Sequence, residues 1–403
     1  MCALGRELIG RGHEAILFQV RDFEQKAGRE RVGFVPLGEA EFPAGTLREI
    51  TAKLGELQGL AGVRFSISYA ERLAAMECRE ARGAIRAAEV DFLIVDQNEP
   101  GAASVAEHLA IPFVSVCTSL PINREALIPP PFTPWAYRTD AWGLVRNAIG
   151  TWVADRLIAP INRALNGFRQ SWGLPPIHNP NDSFSRLAQI SQTVPEIDFP
   201  RRELPSVFHY TGPFRQTEWA NVEFPFERLD GRPLIYASLG TLQNRQMGLF
   251  RCIAEACAGI DAQLVMSLGN TAASLGNLPG APVVVNYAPQ LDLLSRAALT
   301  ITHAGTNTTL AALSFGVPLV AIPISHDQPA TAARIAFSGA GEVVSPASLT
   351  PGRLRTAVQR VIAEPSYRTN AQRIQKAIAD AGGVRRAADL VEEVAVRKGR
   401  GAS

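Results

Sequence analysis

Residues 287–328, YAPQLDLLSRAALTITHAGTNTTLAALSFGVPLVAIPISHDQ, gather an imidazole, a glycine turn, threonine hydroxyls, amides and a carboxylate at spacings suited to a polyanion beside a polyol. The apolar stretch 298–302 is predicted as a strand that delivers His303 to a turn, where Gly305 permits close backbone approach. Thr306, Asn307 and Thr308 then open a helix that closes at Gly316. The next strand, 319–322, ends just before Ser325, His326, Asp327 and Gln328. In open α/β sheets ligands sit beyond the carboxyl ends of the strands, where these groups would converge. Unpaired N–H groups at the helix start, its positive dipole end, the threonine hydroxyls and His303 would together suit a diphosphate without needing a metal. A second glycine turn, Ser238-Leu239-Gly240-Thr241, follows the apolar run LIYAS and can approach the same phosphates. Asp327 and Gln328 supply an acceptor and a donor for sugar hydroxyls.

The elements that must position these groups form two series. In the first, helix is predicted at 1–11, 46–88, 101–109 and 141–172. Strands are predicted at 15–20, 92–96, 112–117, 187–191 and 207–210. In the second, LIYAS, AQLVMSL, APVVVNY, ALTITH, PLVAIP and GEVVS give six strands with helices between most of them. Apolar strands alternating with helices imply an α/β fold of parallel βαβ units. The stretch 195–233, dense in Pro, Arg and aromatics, reads as the boundary. The expected domains are 1–210, holding the acceptor, and 211–403, holding the nucleotide sugar, with a linker from about 195.

With 403 residues, 46% hydrophobic and 19% charged, the chain can bury cores in two domains and is not a disordered polymer. A net charge of +2 excludes binding that rests on phosphate-backbone electrostatics, so nucleic acid is not an expected partner. Five scattered cysteines form neither a disulfide scaffold nor a zinc motif, which points to a reducing, cytoplasmic setting. No apolar run approaches the roughly 20 residues of a membrane span.

The 287–328 segment resembles the sugar-nucleotide signature of the UDP-glycosyltransferase superfamily: aromatic-x-Pro-Gln, His-x-Gly-x-Asn-[Ser/Thr], Gly-Val-Pro and a terminal Asp-Gln. RELIGRGHEAILF, IPFVSVC and IYASLGT extend the likeness over nearly the whole chain. PINREALIPPPFTPWAYR and FHYTGPFR are most similar to bacterial members near the zeaxanthin and macrolide glucosyltransferases. The resemblance implies a GT-B fold, two Rossmann-like domains of doubly wound parallel sheet facing a cleft, and inverting hexosyl transfer to an apolar small molecule. By position, Tyr287 stacks on the base, the Ala288 backbone binds its edge and Gln290 approaches the ribose. His303, Asn307 and Thr308 hold the diphosphate, Asp327 and Gln328 hold the sugar, and Asp96 orients the catalytic base. The implied donor is UDP-glucose, with no further cofactor. The last helix is expected to pack back on the first domain.

Three departures qualify this. Ala311 stands where the family has a ribose-binding Glu, which leaves a TDP-sugar donor open. Tyr287 replaces a frequent Trp. The family's general base is a His in the loop after a first strand, upstream of the helix with which this chain opens. That strand and base are therefore expected to be missing and turnover low, and none of the six histidines matches the position. A sugar-nucleotide-binding homologue with impaired turnover and a GT-B epimerase are the alternatives; a dinucleotide oxidoreductase lacks its GxGxxG signature.

Simpler roles weigh against several other residues. His13 reads as a structural turn residue, and His108, His178 and His209 have no partner at readable spacing. His326 reads equally as pocket lining or surface loop. The segment with Pro129, Pro130, Pro131, Phe132, Trp135 and Tyr137 either caps an apolar acceptor or packs on adjoining helices. Trp142 and Trp152 are expected in the core. Arg385, Arg386, Arg397, Lys398 and Arg400 read as a solvated helix end, with peripheral membrane contact left open.

Overall fold

The computed structural model describes residues 1–57, 59–214, 222–240, 247–269 and 276–399. Thr241 and Arg400 lie outside the described residues, as does the side chain of Lys398. Helix α1 (Cys2–Gly10) buries Ala3, Leu4 and Leu8 on one face and stops where Gly12 turns left-handed at φ +95°. The Gly12 and His13 amides then satisfy the Ile9 and Leu8 carbonyls, the closure that glycine makes easy after a helix.

Strand β1 (Ile16–Gln19) pairs in parallel with β2 (Gly33–Pro36), the two joined through the short helix α2 (Glu24–Arg29). Sequence analysis missed β2, whose Gly and Pro mask its strand pattern. The helical stretch 46–88 is two helices, α3 (Thr46–Glu56) and α4 (Gly59–Ala87). A second parallel sheet follows: β3 (Leu93–Asp96), β4 (Phe113–Cys117), β5 (Gln189–Ser191) and β6 (Phe208–Tyr210), in that order. Between β3 and β4 runs α5 (Pro100–Leu109), whose first residue has the fixed φ a helix start wants. Between β4 and β5 runs α6 (Ala141–Ser171), capped by Asp140, whose carboxylate accepts from the Gly143 amide.

The remaining elements form the largest sheet. They are β7 (Leu234–Ser238), α7 (Met247–Cys257), β8 (Gln263–Ser267), β9 (Val283–Val285), α8 (Gln290–Arg296), β10 (Ala297–Thr302), α9 (Thr306–Ser314), β11 (Leu319–Ala321), α10 (Gln328–Ser338), β12 (Gly341–Val343), α11 (Pro351–Ala363), α12 (Pro365–Asp380) and α13 (Gly383–Gly399). All six strands are parallel, in the order β12-β11-β10-β7-β8-β9. This is the doubly wound arrangement, and it reverses direction between β7 and β10.

One core lies on each face of this sheet. One is built on Tyr236, Val265 and Leu319 with α8, α9 and α12; the other on Ile235, Met266 and Val320 with α7 and α11. Val194 and Ile197, which follow β5, enter the first of these. Helix α13 returns to the other end of the chain, where Ala387, Leu390, Val391 and Val394 pack with α1 and with Val114, Val116 and Ile190 of β4 and β5. Arg11 fixes that contact by donating to Asp389 and Glu392, both at 2.7 Å, and His13 meets Glu392 at 2.9 Å, so His13 is structural.

The β1–β2 pair shares a core with the second sheet, since Phe18, Val20 and Leu37 pack with Leu93, Val105, Met76 and Ile85. Among the described residues no strand is hydrogen-bonded between β1 and β3. Their carboxyl ends are bridged by Gln19 Nε2, which donates to Glu99 Oε1 at 3.3 Å.

Beneath that bridge Glu77 of α4 is buried beside Glu99, and its Oε2 has no hydrogen-bond partner. A Cβ on Gly101 would occupy the space Oε2 fills. Burial pushes the Glu77 carboxyl well above the usual carboxylate range, and the neighbouring Glu99 adds to the effect; burial raises Glu99 as well. A carboxyl raised by folding stays protonated where the unfolded chain has already lost its proton, so its contribution is whole at low pH and drains as pH climbs through the folded value. Glu77→Gln keeps the shape without the titration. Its melting temperature relative to the parent is expected to rise more at neutral than at mildly acidic pH; an equal shift at both would show that folding does not raise the Glu77 carboxyl.

Candidate functional site

The reversal of strand order between β7 and β10 opens a crevice at their carboxyl ends, and both glycine turns leave from it. Strand β7 ends at Ser238 and leads to Gly240; β10 ends at Thr302 and leads to His303. Gly240 has φ +74°, and a Cβ there would stand 2.8 Å from His303 Cε1. Gly305 has an ordinary φ of −64°, so its backbone would accept any residue. What demands glycine is space, because a Cβ on Gly305 would collide with Nε2 of the same imidazole. The ring therefore sits between two loops, each lacking a side chain where it passes.

Between His303 and Gly305, Ala304 is held left-handed at φ 64° with its amide donating to Thr302 Oγ1 at 3.2 Å. Such strain in a non-glycine residue clusters where a site fixes the backbone. His303 Nδ1 is buried without a hydrogen-bond partner. Burial pushes the imidazole pKa down, against smaller upward effects of the Ser238 backbone and Asp327, so the ring is neutral near pH 7.

Helix α9 starts immediately after this turn. Its N-cap, Gly305, offers no side chain to the first amides, and the Gly305 carbonyl is taken by the Thr309 N–H. The amides of Thr306, Asn307 and Thr308 thus have no acceptor within the helix and face the crevice end. Thr306 Oγ1 donates to Asp327 Oδ2 at 3.1 Å, which joins the phosphate-type turn to the Asp-Gln pair. Gln328 is buried, and its Oε1 accepts from the Ile324 and Ser325 amides at 2.8 and 2.9 Å. Its carbonyl oxygen thus holds the loop that presents Asp327, leaving only the side-chain N–H₂ for a ligand. In the same loop His326 is left-handed at φ 57°, and its Nδ1 meets Ser325 Oγ at 2.7 Å.

Ser238, Gly240, His303, Gly305, Thr306 and Asp327 are thus brought together by direct contact. Asn307 is exposed and Thr308 buried at the same helix start. Tyr287, 45% exposed, stands free at the edge of the second domain, next to Ala288, which packs on the core, and Gln290, the first residue of α8.

Asp96 belongs to the other sheet, at the end of β3. Its Oδ1 accepts from the Asn98 backbone N–H and Nδ2 at 2.9 and 3.0 Å, and its Oδ2 from the Thr118 hydroxyl. No histidine is hydrogen-bonded to it among the described residues. Next to it, buried Gln97 holds the loop after β4 by donating to Ser119 Oγ and the Leu120 carbonyl and accepting from the Ile122 amide.

Within the aromatic loop Trp135 and Tyr137 pack on their neighbours, while Phe132 is exposed. Trp135 lies over Gly150 of α6 with the Arg146 guanidinium 5.0 Å from its ring, and Tyr137 stacks on Phe199 at 5.6 Å. The expected burial of Trp142 and Trp152 is wrong: they are 63% and 57% exposed.

One charged group went unread in the sequence. Arg334, fully buried on α10, donates from Nε to Asp198 Oδ1 at 2.7 Å, and its guanidinium lies 4.3 Å from the Phe199 ring centroid. Asp198 Oδ2 accepts from Arg201 Nε at 2.7 Å and from the Tyr210 hydroxyl at 3.1 Å. Arg201 in turn donates to the Asn123 and Pro121 carbonyls at 2.8 and 2.6 Å. Burial pushes the Asp198 carboxyl up, but Arg334 and Arg201 outweigh it and hold it at about 2. The helix that begins at Gln328 is thereby tied to the loop after β4. Asp198 and Arg334 stand 136 positions apart, and no local pattern links them.

Three comparisons bear on this site. The family model described as "UDP-glucoronosyl and UDP-glucosyl transferase" matches residues 66–382. The chain is 36% identical over 402 residues to the zeaxanthin glucosyltransferase of Pantoea ananas, covering 97% of this chain and 91% of that protein. It is 35% identical over 397 residues to the zeaxanthin glucosyltransferase of Pseudescherichia vulneris, covering 97% and 93%. Among solved structures, the glycotransferase of kitacinnamycin superposes with a TM-score of 0.76 at 22% identity, covering 98% of this chain and 94% of that one, a likeness of fold.

Proposed function

The chain belongs to the UDP-glucuronosyl and UDP-glucosyl transferase family and is a glycosyltransferase of GT-B fold, and from that premise we propose that it transfers glucose from UDP-glucose to a hydroxyl of an apolar small molecule. The observation that carries the donor half is the His303 ring held between Gly240 and Gly305 beside the start of α9, whose first amides have no side-chain cap. The diphosphate lies along that helix start, within reach of Ser238, the Thr306 amide and Thr308, with Asn307 beside it. Tyr287 stacks on the base, with the Ala288 backbone at its edge and Gln290 by the ribose. Asp327 and the Gln328 N–H₂ take the sugar hydroxyls.

In the transfer, the acceptor O–H gives its proton to a base that Asp96 would orient, a role no histidine bonded to Asp96 fills among the described residues. The acceptor oxygen forms a bond to C1 of the sugar from the face opposite the diphosphate, and the C1–O bond to the diphosphate breaks. The departing oxygen takes the electron pair, and C1 is inverted. His303 and the α9 amides are donors already aimed at the charge that grows there, so little reorganisation accompanies the step. The similarity to zeaxanthin glucosyltransferases supports a large apolar alcohol as acceptor.

Mass-spectrometric detection of hexose transfer from UDP-glucose and TDP-glucose to a panel of apolar alcohols tests this. Preference for UDP-glucose is expected, and Asp96→Asn should lower transfer while leaving UDP binding intact. Failure to bind either nucleotide would sink the donor assignment.

A further inference from the structure

Among the described residues, the N-terminal half of α6 carries an apolar stripe that no other element covers. Trp142 (63% exposed), Val145 (50%), Ile149 (57%), Trp152 (57%) and Val153 (39%) recur at i, i+3, i+7, i+10 and i+11, which places them on one face of the helix. The opposite face is the packed one, with Gly143, Asn147, Gly150 and Ala154 buried. Two indoles and three aliphatic side chains in one exposed row are more than scattered surface residues, and such a patch on a folded chain marks an interaction surface.

The charges beside the stripe say what fits it. Arg156 and Arg163 are exposed on this face, and among the described residues neither is paired with a carboxylate; Arg146 is taken up by the Ala136 carbonyl, Asn147 Oδ1 and the Trp135 ring. The acidic groups of this region are already engaged: Asp140 with Arg138, and Asp155 with Arg124. The Arg156 guanidinium lies 5.0 Å from the Trp152 ring, its stem along the apolar row and its charge at the rim. Tryptophans and aliphatics flanked by unpaired arginines is the composition of a helix that lies in a bilayer interface, rings at headgroup depth and cations at lipid phosphates. A second copy of the chain would bring no free carboxylate to these arginines through this face, since Asp140 and Asp155 are already paired.

We propose that α6 seats the protein on an anionic lipid surface through Trp142, Val145, Ile149 and Trp152, with Arg156 and Arg163 on the phosphates. This is peripheral seating, since among the described residues no helix is long and apolar enough to cross a membrane. The packed face of α6 bears on the loop after β4, through Gly150 against Trp135 and Asn147 Nδ2 donating to the Ala126 carbonyl at 3.2 Å. If the proposed transfer holds, an apolar acceptor thus has a short path from lipid to that loop.

Co-sedimentation of the 403-residue chain with phosphatidylcholine vesicles, with and without phosphatidylglycerol, tests the seating; UDP binding and melting temperature are read on the same samples. The parent should bind the anionic vesicles and release them in high salt. Trp142→Gln/Ile149→Gln/Trp152→Gln should weaken partitioning at least about tenfold, and Arg156→Glu/Arg163→Glu by at least about 25-fold, taking roughly fivefold per arginine at an anionic surface. Both variants should keep the parent's melting temperature, because the substituted side chains are exposed. A parent that stays in solution with both vesicles, or a triple variant that binds as the parent does, would overturn the proposal. So would a dimer that the triple variant dissociates without any vesicle binding. Loss of UDP binding alone would fault the donor assignment and leave the lipid result standing.

Discussion

His303→Gln should lower hexose transfer by roughly 100- to 1,000-fold, the range for removing one preorganised donor from a charge-stabilising site, while UDP affinity falls much less. The asymmetry follows from when the charge appears. A bound nucleotide sugar carries its diphosphate charge in the ground state, where in the proposed site three α9 amides and the Thr308 hydroxyl would share it. The extra charge on the departing oxygen exists only as the C1–O bond breaks. His303 is held for that moment by the absence of side chains at Gly240 and Gly305.

Gly305→Ala makes the same point through geometry. The added methyl must push the imidazole aside, so transfer should fall with His303 itself intact. Gly240→Ala adds the strain of a side chain at φ +74°. The pH dependence has a defined sign. The imidazole is pushed below its ordinary 6.5 by burial, and a diphosphate beside it would raise that value. UDP should therefore bind more tightly as pH falls below neutrality, and His303→Gln should flatten the dependence. A glutamine variant with transfer within about threefold of the parent would show that the ring only fills space.

This part of the molecule was legible because its chemistry is contiguous: forty-two residues carry a strand, a turn, a helix, another strand and the polar loop in order. All six strands of the large sheet were read from apolar runs; the four inner ones are buried on both faces and so carry no competing pattern, and the edge strands β9 and β12 lie in the short valine runs of APVVVNY and GEVVS. Two kinds of feature were not legible. Hydrophobic periodicity shows that a helix has an apolar face but not whether anything covers it, so Trp142 and Trp152 were assigned to a core they do not join. Gln328 was read as a sugar ligand without sign that its oxygen is taken by the Ile324 and Ser325 amides, which leaves only its N–H₂ for that role; only coordinates show which end of an amide a loop has taken. Pairings across the fold, such as Glu77 with Glu99 and Asp198 with Arg334, leave no trace in local spacing.

The last of these pairings carries the largest expected effect on stability. Removing one partner of a buried ion pair leaves the other charge without compensation, and the usual cost is about 3–5 kcal/mol. Arg334→Met keeps most of the stem's packing on Phe199 but strips Asp198 of one cation. Arg201 and Tyr210 still reach Oδ2, which puts the expected loss near the lower end, about 3 kcal/mol. Adding Asp198→Asn should recover much of that loss, because the charge that needed Arg334 is then gone. The acid side gives an independent check. A carboxyl held at about 2 in place of 3.8 contributes roughly 2 kcal/mol above pH 4, and this is lost as pH falls through about 2. The parent should therefore lose stability over that interval and the double variant should lose less. The same network links α10 to the Pro121 and Asn123 carbonyls, so Arg334→Met also loosens the register between the Asp327 loop and the loop beside Asp96. Below its melting temperature the variant should therefore show a lower rate of transfer at unchanged UDP affinity. A loss of UDP affinity equal to the loss of rate would place the effect in the donor crevice and not between the two loops.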